Sequence, residues 1–272
     1  MAALPPAVLP TDLSVGTFGA DAAEMVEIAR VVDRAGYDGI FTLDHFSGSM
    51  LGRPWSRELF TLLGAFAATT ERVRVGSLVA NMVNRHPSLL ALSAATVQSL
   101  SGGRFVLGVG AGASPGSRFA GEHDAIGRVL DDYDGRRRHL IETIETVRLL
   151  WDGGGDYDGR FVSLDGLDGV VGPEPRPPVI VGASGAKTIE VACHYADGVN
   201  IRMGPQCLEL VGLARQLAAD RPFEISVFDN LDLDHSLGGD PEGLVEAGVD
   251  RRILAVWTPY PRSAIERIGQ NL

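Results

Sequence analysis

An apolar run that is prone to form a β-strand ends in an acid and an imidazole, Asp44 and His45. Residues 40–43 are largely apolar on both strand faces, which is typical of a parallel sheet that is covered on both sides. In such folds the chemistry takes place at the carboxyl ends of the strands. Histidine exchanges protons near neutral pH, and an adjacent carboxylate can orient or bind a ligand. We therefore expect a catalytic site here, although an Asp-His pair alone is also compatible with a structural role.

Two glycine-rich segments follow other predicted strands. The first, residues 108–112, closes a strand, and clustered glycines let a backbone approach a flat ring or a phosphate. The second, residues 182–188, opens a helix whose free N–H groups and dipole suit a phosphate, and Ser184 could cap that helix or donate to the anion. Neither segment has the spacing of a dinucleotide fingerprint or a P-loop. Ordinary tight turns are the alternative for both.

Polar residues also stand near the end of the third predicted strand. Residues 76–81 end this strand and contain Ser77, a small polar residue that can face a ligand there. An ordinary strand end is the alternative. Arg85-His86-Pro87 starts the next helix, with the proline in its first turn, and His86 is interpreted as structural. The histidines and cysteines show no metal-ligand spacing, and no GxSxG elbow indicates a serine hydrolase.

The elements that must position these residues alternate along the whole chain. Strands are predicted over residues 13–18, 39–43, 73–79, 105–109, 178–181, 198–201, 224–228 and 253–257, and helices over 22–35, 58–69, 88–100, 135–151, 186–194, 206–219, 241–247 and 262–269. This alternation predicts a single α/β domain over residues 1–272, a (β/α)₈ TIM barrel rather than an open doubly wound sheet. Long insertions follow strand 4 (residues 110–134) and precede strand 5 (residues 152–177), and we interpret them as lids, binding loops or disordered stretches.

Composition narrows the class of partner. The chain has 272 residues, 45% of them hydrophobic, and a net charge of −11, which argues against a nucleic-acid backbone as partner. No apolar run approaches the roughly 20 residues of a membrane span, and the N-terminus lacks the positive residues of a secretory signal. Cys193 and Cys207 imply no disulfide framework. We expect a soluble, cytoplasmic protein.

Several segments, taken together and in this order, resemble the bacterial luciferase-like family of flavin and deazaflavin oxidoreductases. They are AGYDGIFTLDHF from Ala35, TERVRVGSLVAN from Thr70, NRHPSLLALSAATVQSLSGGRFVLGVGAG from Asn84, the helix ending RLLW at Trp151, and PPVIVGASGAKTIEVACHYADGVN from Pro177. The resemblance implies a TIM barrel that binds FMN or the deazaflavin coenzyme F-420, with the ring at the strand ends and the phosphate near the glycine turn after the fifth strand. A deazaflavin carries hydride only, whereas FMN can also activate oxygen.

The resemblance to the deazaflavin-dependent sugar-phosphate dehydrogenases of this family implies roles for individual residues of this chain. Asp44 and His45 fall on the Asp that contacts the cofactor and on the catalytic His. Ser77 and Leu78 fall on a pair that a non-proline cis peptide joins in a strand bulge. The resemblance therefore implies that Asp44 and His45 position the substrate and exchange protons.

Three departures from that branch concern its substrate. The Thr-Gly-Glu of the branch falls on Ala111-Gly112-Ala113, so the catalytic Glu is missing. The tryptophan that follows the His falls on Ser49, and the lysine that holds the sugar phosphate falls on Pro205. These departures argue against a sugar-phosphate substrate.

The resemblance and the motifs together predict hydride transfer between coenzyme F-420 and a small organic substrate. The catalytic residues are expected to be His45 and Asp44, and the residues expected to bind the cofactor are Asp44, Ser77, Leu78, Ala80, Ala111, Gly112, Gly182, Ala183, Ser184 and Gly185. An FMN-dependent monooxygenase on the same fold is one alternative. The other is a catalytically degenerate barrel that is kept as a binding subunit.

The insertion after strand 4 and the quaternary structure add two expectations. Glu122, His123 and Asp124 stand together in this insertion. They form either a solvated loop tip or a lid that supplies Glu122 or His123 in place of the missing Glu. We also expect a homodimer, because family members usually associate through helices near the second and third strands, and the predicted helix 58–69 is rich in Leu, Phe and Ala.

Overall fold

Eleven strands lie in the part of the chain that the computed structural model describes, residues 9–231 and 241–272. They are β1 (Thr11–Val15), β2 (Gly39–Thr42), β3 (Arg74–Ser77), β4 (Ala80–Asn81), β5 (Phe105–Gly110), β6 (Gly154–Asp158), β7 (Ser163–Asp168), β8 (Val179–Ala183), β9 (Gly198–Arg202), β10 (Glu224–Asn230) and β11 (Arg251–Val256). Every residue of β1, β2 and β5 is buried. The apolar strand patterns therefore reflect cover on both faces.

Parallel pairing closes these strands into a barrel of eight positions. β1 pairs with β2, β2 with β3, β3 with β5, and β5 with β8. The ring continues through β9, β10 and β11 back to β1. β4 extends the β3 position after a break and also pairs with β5. The closed barrel confirms the expected α/β class and (β/α)₈ architecture, and it excludes the open sheet.

Helices alternate with the barrel strands, and most of them pack against the outside of the barrel. They are α1 (Ala22–Ala35), α2 (Leu59–Thr69), α3 (Pro87–Leu100), α4 (Gly121–Ala125), α5 (Tyr133–Trp151), α6 (Ala186–Tyr195), α7 (Cys207–Ala218), α8 (Pro241–Glu246) and α9 (Arg262–Gly269). In α1, Asp21 caps the first turn by accepting the N–H of Glu24 at 3.0 Å, and Gly36 ends the helix at a φ of 115°. Its buried Ile28 and Val32 recur at helical spacing. No helix within the described ranges is long and apolar enough to cross a membrane.

The insertion before the fifth barrel strand is more ordered than the sequence indicates. β6 and β7 form an antiparallel hairpin there, which excludes a disordered stretch for this part of residues 152–177. Glu142 on α5 holds the hairpin turn by accepting the N–H groups of Arg160, Phe161 and Val162 at 3.0, 2.7 and 3.1 Å. Burial raises the pKa of Glu142, but the hydrogen bonds from Arg138 and these N–H groups outweigh it and leave the pKa below its usual range. The Gly- and Asp-rich sequence of this segment gives no indication of its contact with Glu142, which lies on a different element.

A charged network lies at the amino-terminal end of the barrel strands. Arg251 on β11 donates to Asp12 on β1 at 2.8 Å, and Arg74 on β3 donates to Glu224 on β10 at 2.8 Å. Asp12 is fully buried. Burial raises its pKa to about 7, and the positive charge of Arg251 only partly offsets this effect. The network is thus a structural feature at the end of the barrel remote from the strand ends that carry Asp44 and His45.

Candidate active site

The carboxyl ends of the barrel strands surround a cavity of about 730 Å³. This size is typical of pockets that bind small molecules. Of the residues expected at the site, those that line the cavity are Asp44, His45, Leu78, Ala111, Gly112, Gly182, Ala183 and Ser184. Ser77, Ala80 and Gly185 lie outside its lining. Because the carboxyl ends of the strands meet at one end of the barrel, most of the expected residues lie at one cavity, although they come from distant parts of the chain.

Asp44 is held by an arginine that sequence reasoning left without a role. Arg85 donates to both carboxylate oxygens of Asp44, at 2.6 and 2.9 Å, and the N–H of Asn81 donates to the same carboxylate at 2.7 Å. Burial lowers the pKa of Arg85, but the hydrogen bonds and charge of Asp44 outweigh it and raise the pKa above its usual value. A buried bidentate pair fixes the loop after β2 against the end of β4. The geometry favours a positioning role for Asp44 over proton exchange.

His45 is oriented by a carboxylate from the insertion after β5. Its Nδ1 lies 2.9 Å from Oε2 of Glu122, while Oε1 of Glu122 accepts the N–H of Ser47 at 2.8 Å. The Glu122 side chain is 2% exposed and that of His45 is 23% exposed. Because a carboxylate oxygen accepts, Nδ1 carries the proton and Nε2 remains for a ligand. Glu122 therefore does not lie on a solvated loop tip, which was one of the two interpretations of this segment.

His123, the neighbour of Glu122, is held in a different state. Its Nε2 lies 2.9 Å from Nδ2 of Asn81. The Oδ1 of Asn81 accepts the N–H of Val83 at 3.0 Å, which turns the amide nitrogen toward His123 as a donor. The Nε2 of His123 is therefore the acceptor and carries no proton. Burial lowers the pKa of His123 in spite of the nearby charge of Glu122. A neutral, buried ring of this kind supports α4 and is a poor proton donor.

The break after β3 lies one residue beyond the position that the resemblance implies. The cis peptide bond joins Leu78 to Val79, not Ser77 to Leu78. Ser77 is still part of β3, and its hydroxyl donates to the carbonyl oxygen of Gly108 at 2.7 Å. That hydroxyl is therefore used inside the barrel wall instead of facing a ligand. Ala80 is also buried, whereas Leu78 and Val79 line the cavity.

The glycines near this break make room for the side chain of Val79. A Cβ at Gly110 would lie 2.6 Å from Cγ2 of Val79, and one at Gly182 would lie 3.1 Å from Cγ1. A Cβ at Gly108 would overlap the backbone of β3. Packing inside the barrel therefore accounts directly for Gly108, Gly110 and Gly182, which the sequence alone related to a close ligand. Gly112, which also lines the cavity, differs because its φ is 76°, where glycine is favoured.

The turn after β8 leads into the uncapped start of α6. Gly185 is the N-cap, and no described side chain caps the helix, so the first of the two roles considered for Ser184, capping the helix, is wrong. Ser184 and Thr188 line the cavity instead. A Cβ at Gly185 would meet no atom within 4 Å. An uncapped helix N-terminus with open space in front of it suits an anion.

Aromatic residues line another part of the cavity, and sequence reasoning missed them. Phe18 follows β1, Phe119 lies in the insertion after β5, and Trp257 follows β11. The His45 ring lies near both Phe18 and Phe119, at centroid distances of 4.9 and 5.2 Å. Phe18 and Trp257 end two predicted strands, so the rule that singled out His45 could have found them. Phe119 carries no such signal.

The two parts of the cavity lie on different arcs of the barrel. We name the part of the cavity with small residues the glycine side, and the part with aromatic rings around His45 the aromatic side. The glycine side consists of Leu78, Val79, Gly110, Ala111, Gly112, Gly182 and Ala183. The aromatic side consists of Phe18, His45, Phe119 and Trp257. The strands β3, β5 and β8 precede the glycine side, whereas β11, β1 and β2 precede Trp257, Phe18 and His45. The two groups of strands adjoin where β2 pairs with β3.

The cavity is rich in arginine although the chain has a net charge of −11. The arginines in its lining are Arg53, Arg118, Arg136, Arg137 and Arg202. Within the described ranges, Arg137 is the only one of them with a carboxylate partner, Asp134. Arg136 is buried and donates to the carbonyl oxygens of Gly112 and Ala113, both at 3.2 Å. Burial lowers the pKa of Arg136. This surplus of positive charge suits a ligand that carries a phosphate or a carboxylate.

A closed parallel barrel whose strand ends surround a cavity with an oriented histidine and an uncapped helix start is typical of barrel enzymes. The chain belongs to the luciferase-like monooxygenase family, whose family model matches residues 5–220. The match confirms the family resemblance of the sequence segments. It covers both sides of the cavity except Trp257.

Curated relatives include deazaflavin and flavin enzymes. The 5,10-methylenetetrahydromethanopterin reductase of Archaeoglobus fulgidus is 25% identical over 78% of this chain and 60% of its own length. The F-420-dependent glucose-6-phosphate dehydrogenase of Microbacterium testaceum is 30% identical over 64% of this chain and 51% of its own length. The oxygenase component of the flavin-dependent trigonelline monooxygenase of Acinetobacter baylyi is 27% identical over 67% of this chain and 48% of its own length. The chain thus spans about half the length of the curated relatives it matches.

Solved structures resemble the chain over nearly its full length. An F-420-dependent secondary alcohol dehydrogenase, solved with an F-420-acetone adduct, superposes with a TM-score of 0.82 at 17% identity and covers 97% of this chain and 98% of its own. The coenzyme F-420-dependent tetrahydromethanopterin reductase of Methanopyrus kandleri has a TM-score of 0.72 at 16% identity, with 98% and 99% coverage. At these identities the likeness supports the barrel fold.

Proposed function

We propose that this protein is an oxidoreductase that transfers hydride between coenzyme F-420 and a small organic substrate. The observation that carries the proposal is the His45–Glu122 pair, in which Nδ1 and Oε2 lie 2.9 Å apart and the ring borders the cavity. Reduction of a double bond needs a proton as well as a hydride, and an oriented imidazole can move that proton. Family membership and the activities of the relatives support the redox class.

The glycine side and the start of α6 fit the cofactor. When bound, a deazaflavin supplies the carbon that gives or accepts the hydride. In this chain, Leu78 would lie behind the ring, and Ala111 and Gly112 would lie beside it. Ser184 and the uncapped N–H groups of α6 would hold the phosphate, with support from the arginines of the cavity.

His45 and the residues around it have separate roles in the proposed proton transfer. Nε2 of His45 moves the proton to or from the substrate, while Glu122 keeps Nδ1–H in place and balances the positive charge that the ring gains. Asp44 and Arg85 hold the loop that carries His45. The Phe18 and Phe119 rings pack near the imidazole and limit the access of water to it.

Fluorescence titration of the purified protein with F-420 and with FMN tests the cofactor. We expect one cofactor to bind per chain, with F-420 tighter than FMN. Submicromolar FMN binding without F-420 binding would reverse the assignment and favour an FMN-dependent monooxygenase. If neither cofactor binds, a catalytically degenerate barrel becomes the better explanation.

We also propose a homodimer that forms through α2 and α3. The leucines and the Phe66 ring of α2 are largely buried, but α3 exposes Leu89, Leu92 and Leu100 at 54%, 47% and 52%. Neither helix contains a charged residue. A second copy of the chain would cover this uncharged surface.

Light scattering tests the homodimer. At micromolar concentration we expect a dimer mass for the wild type and for Leu208→Arg, a matched change at an exposed leucine of α7. Leu92→Arg should give a monomer mass, because it places a charge in the proposed interface. A monomeric wild type, or a dimeric Leu92→Arg variant, would contradict this interface.

A cytoplasmic location completes the proposal. Cys193 and Cys207 are both buried free thiols. Free thiols are typical of a reducing compartment. Cell fractionation with an antibody against the chain tests this location, and recovery from a secreted fraction would contradict it.

A further inference from the structure

Trp257 presents a fixed indole ring to the cavity. It follows β11, lines the cavity and is 37% exposed. Its Nε1 donates to Oδ1 of Asn230 at 3.0 Å. On another side the indole packs onto Gly16, where a Cβ would overlap the ring. The hydrogen bond and the glycine contact together hold the indole in one orientation.

The indole continues a row of rings that reaches the proposed proton-transfer group. Phe18 lies 6.0 Å from Trp257 in a nearly parallel arrangement, with 15° between the ring planes. The same Phe18 lies 4.9 Å from His45, and Phe119 lies 5.2 Å from His45. A molecule that stacks on this row would therefore lie close to the His45 ring.

The other two tryptophans show that this placement is particular to Trp257. Trp151 is buried in the core, where its Nε1 donates to the carbonyl oxygen of Ala91 at 3.1 Å. Trp55 is 47% exposed, lies outside the cavity lining, and donates to the carbonyl oxygen of Ala20 at 3.0 Å. Of the three, Trp257 alone combines exposure with a place in the cavity.

The cofactor proposed above would not need the row of rings. The small residues and the helix start that fit the cofactor follow β3, β5 and β8, whereas Trp257 follows β11 on the other arc of the barrel. A rigid aromatic face binds flat π-systems at low entropic cost and prefers them over saturated rings of the same size. The face is thus suited to the second molecule that the reaction requires.

We propose that the row formed by Trp257, Phe18 and His45 is a stacking surface for a substrate with a planar, conjugated ring. This inference rests on the proposed function, since it assumes that a cofactor occupies the glycine side. It names the substrate class that the missing sugar-phosphate residues leave open. Trp257 is then the residue that determines specificity for a flat substrate.

The test compares two probes that share one carbon skeleton, 2-naphthol and its saturated analogue 2-decalol. Isothermal titration of the F-420-loaded protein should give a preference for 2-naphthol of about three- to tenfold, the range for one aromatic stacking contact. Trp257→Leu should abolish this preference, and Trp257→Phe should keep part of it. Trp55→Leu, the matched change at an exposed tryptophan outside the cavity, should leave the preference unchanged.

Two results would overturn the inference. One is equal affinity of the wild type for both probes. The other is a Trp257→Leu variant that weakens F-420 binding and retains the naphthol preference, since the indole would then serve the cofactor. If the wild type binds no F-420 but still prefers 2-naphthol and loses this preference in Trp257→Leu, the stacking surface stands and the proposed cofactor fails. A melting curve of each variant identifies any that fail to fold, and Trp257→Phe then decides the question.

Discussion

The glycine side and the aromatic side of the cavity are built on opposite principles. On the glycine side, Gly110 and Gly182 lack side chains because Val79 occupies the centre of the barrel. On the aromatic side, large rings surround His45 at centroid distances of 4.9 and 5.2 Å. The first side offers backbone and open space to a ligand, and the second offers preformed faces and one titratable nitrogen. Substitutions on the glycine side should therefore change packing and cofactor affinity. Substitutions on the aromatic side should change turnover and substrate preference.

His45→Ala should separate the two sides most clearly. It removes the proposed proton-transfer group, so we expect turnover to fall by about 10²–10⁴. F-420 affinity should stay close to that of the wild type, because the cofactor contacts are proposed for the glycine side. Steady-state kinetics and fluorescence titration measure the two quantities. His194→Ala, at an exposed histidine of α6, is the control, and near-normal turnover of His45→Ala would leave His45 as a structural residue.

Glu122→Gln should have a smaller effect on the same quantity. The amide keeps an acceptor near Nδ1 of His45 but loses the negative charge, and we expect turnover to fall by about 10- to 100-fold. The pH–rate profile should change as well. His123→Asn leaves the His45–Glu122 pair in place and should retain the wild-type profile. If Glu122→Gln also keeps the wild-type rate and profile, the carboxylate does not assist His45.

A double-mutant cycle tests the packing on the glycine side. Gly110→Ala places a methyl group against Val79, where the distance from the added Cβ to Cγ2 would be 2.6 Å. We expect a loss of about 1–3 kcal/mol in the free energy of unfolding, as is typical of overpacking. In a Val79→Ala background the same change should cost much less, because the obstructing methyl groups are gone. Equal costs in both backgrounds, measured by urea denaturation, would refute this explanation of Gly110.

Asp12→Asn lies outside both sides and should alter stability alone. Burial raises the pKa of Asp12 to about 7, so the stability from its protonated form is present below the unfolded value of 3.8 and is lost as the pH rises through about 7. The amide that replaces the carboxyl group in the variant cannot titrate. Relative to the variant, the wild type should therefore lose about 2 kcal/mol between roughly pH 5.5 and 7.5. Denaturation at several pH values measures this difference, and a constant difference would mean that Asp12 stays ionised beside Arg251.

Gly185→Val should give the smallest of these effects, confined to cofactor affinity. Its backbone is extended, with a φ of −169°, and a Cβ meets no atom within 4 Å, so the barrel should tolerate valine. The side chain would enter the space proposed for the phosphate, and we expect about tenfold weaker F-420 binding, or about 1.4 kcal/mol. Gly204→Val, at another open glycine outside the cavity lining, is the matched control. An unchanged affinity for Gly185→Val would move the phosphate site elsewhere.

Much of the fold follows from local patterns in the sequence. The bounds of α1 and α9 coincide with the predicted ranges, because apolar spacing in both helices, and the Asp21 cap in α1, act within a few turns. The hairpin of β6 and β7 was not predicted, since the contacts that order it come from Glu142 on a different element. The cis peptide was predicted between Ser77 and Leu78 but joins Leu78 to Val79. The prediction depended on the resemblance to the family alone, because nothing in the local sequence marks the position of such a bond.

The sequence by itself determined the barrel, the family and the strand ends at which the site lies, because periodicity and the order of motifs are properties of the chain read in one dimension. Tertiary structure alone decided which side chains meet there. Glu122 reaches His45 from 77 residues away, and Phe18 meets Trp257 across the closure of the barrel between β1 and β11. Parallel strands return to the same end of the barrel after long crossovers, so neighbours in the cavity are distant in sequence. No local pattern can specify such pairs.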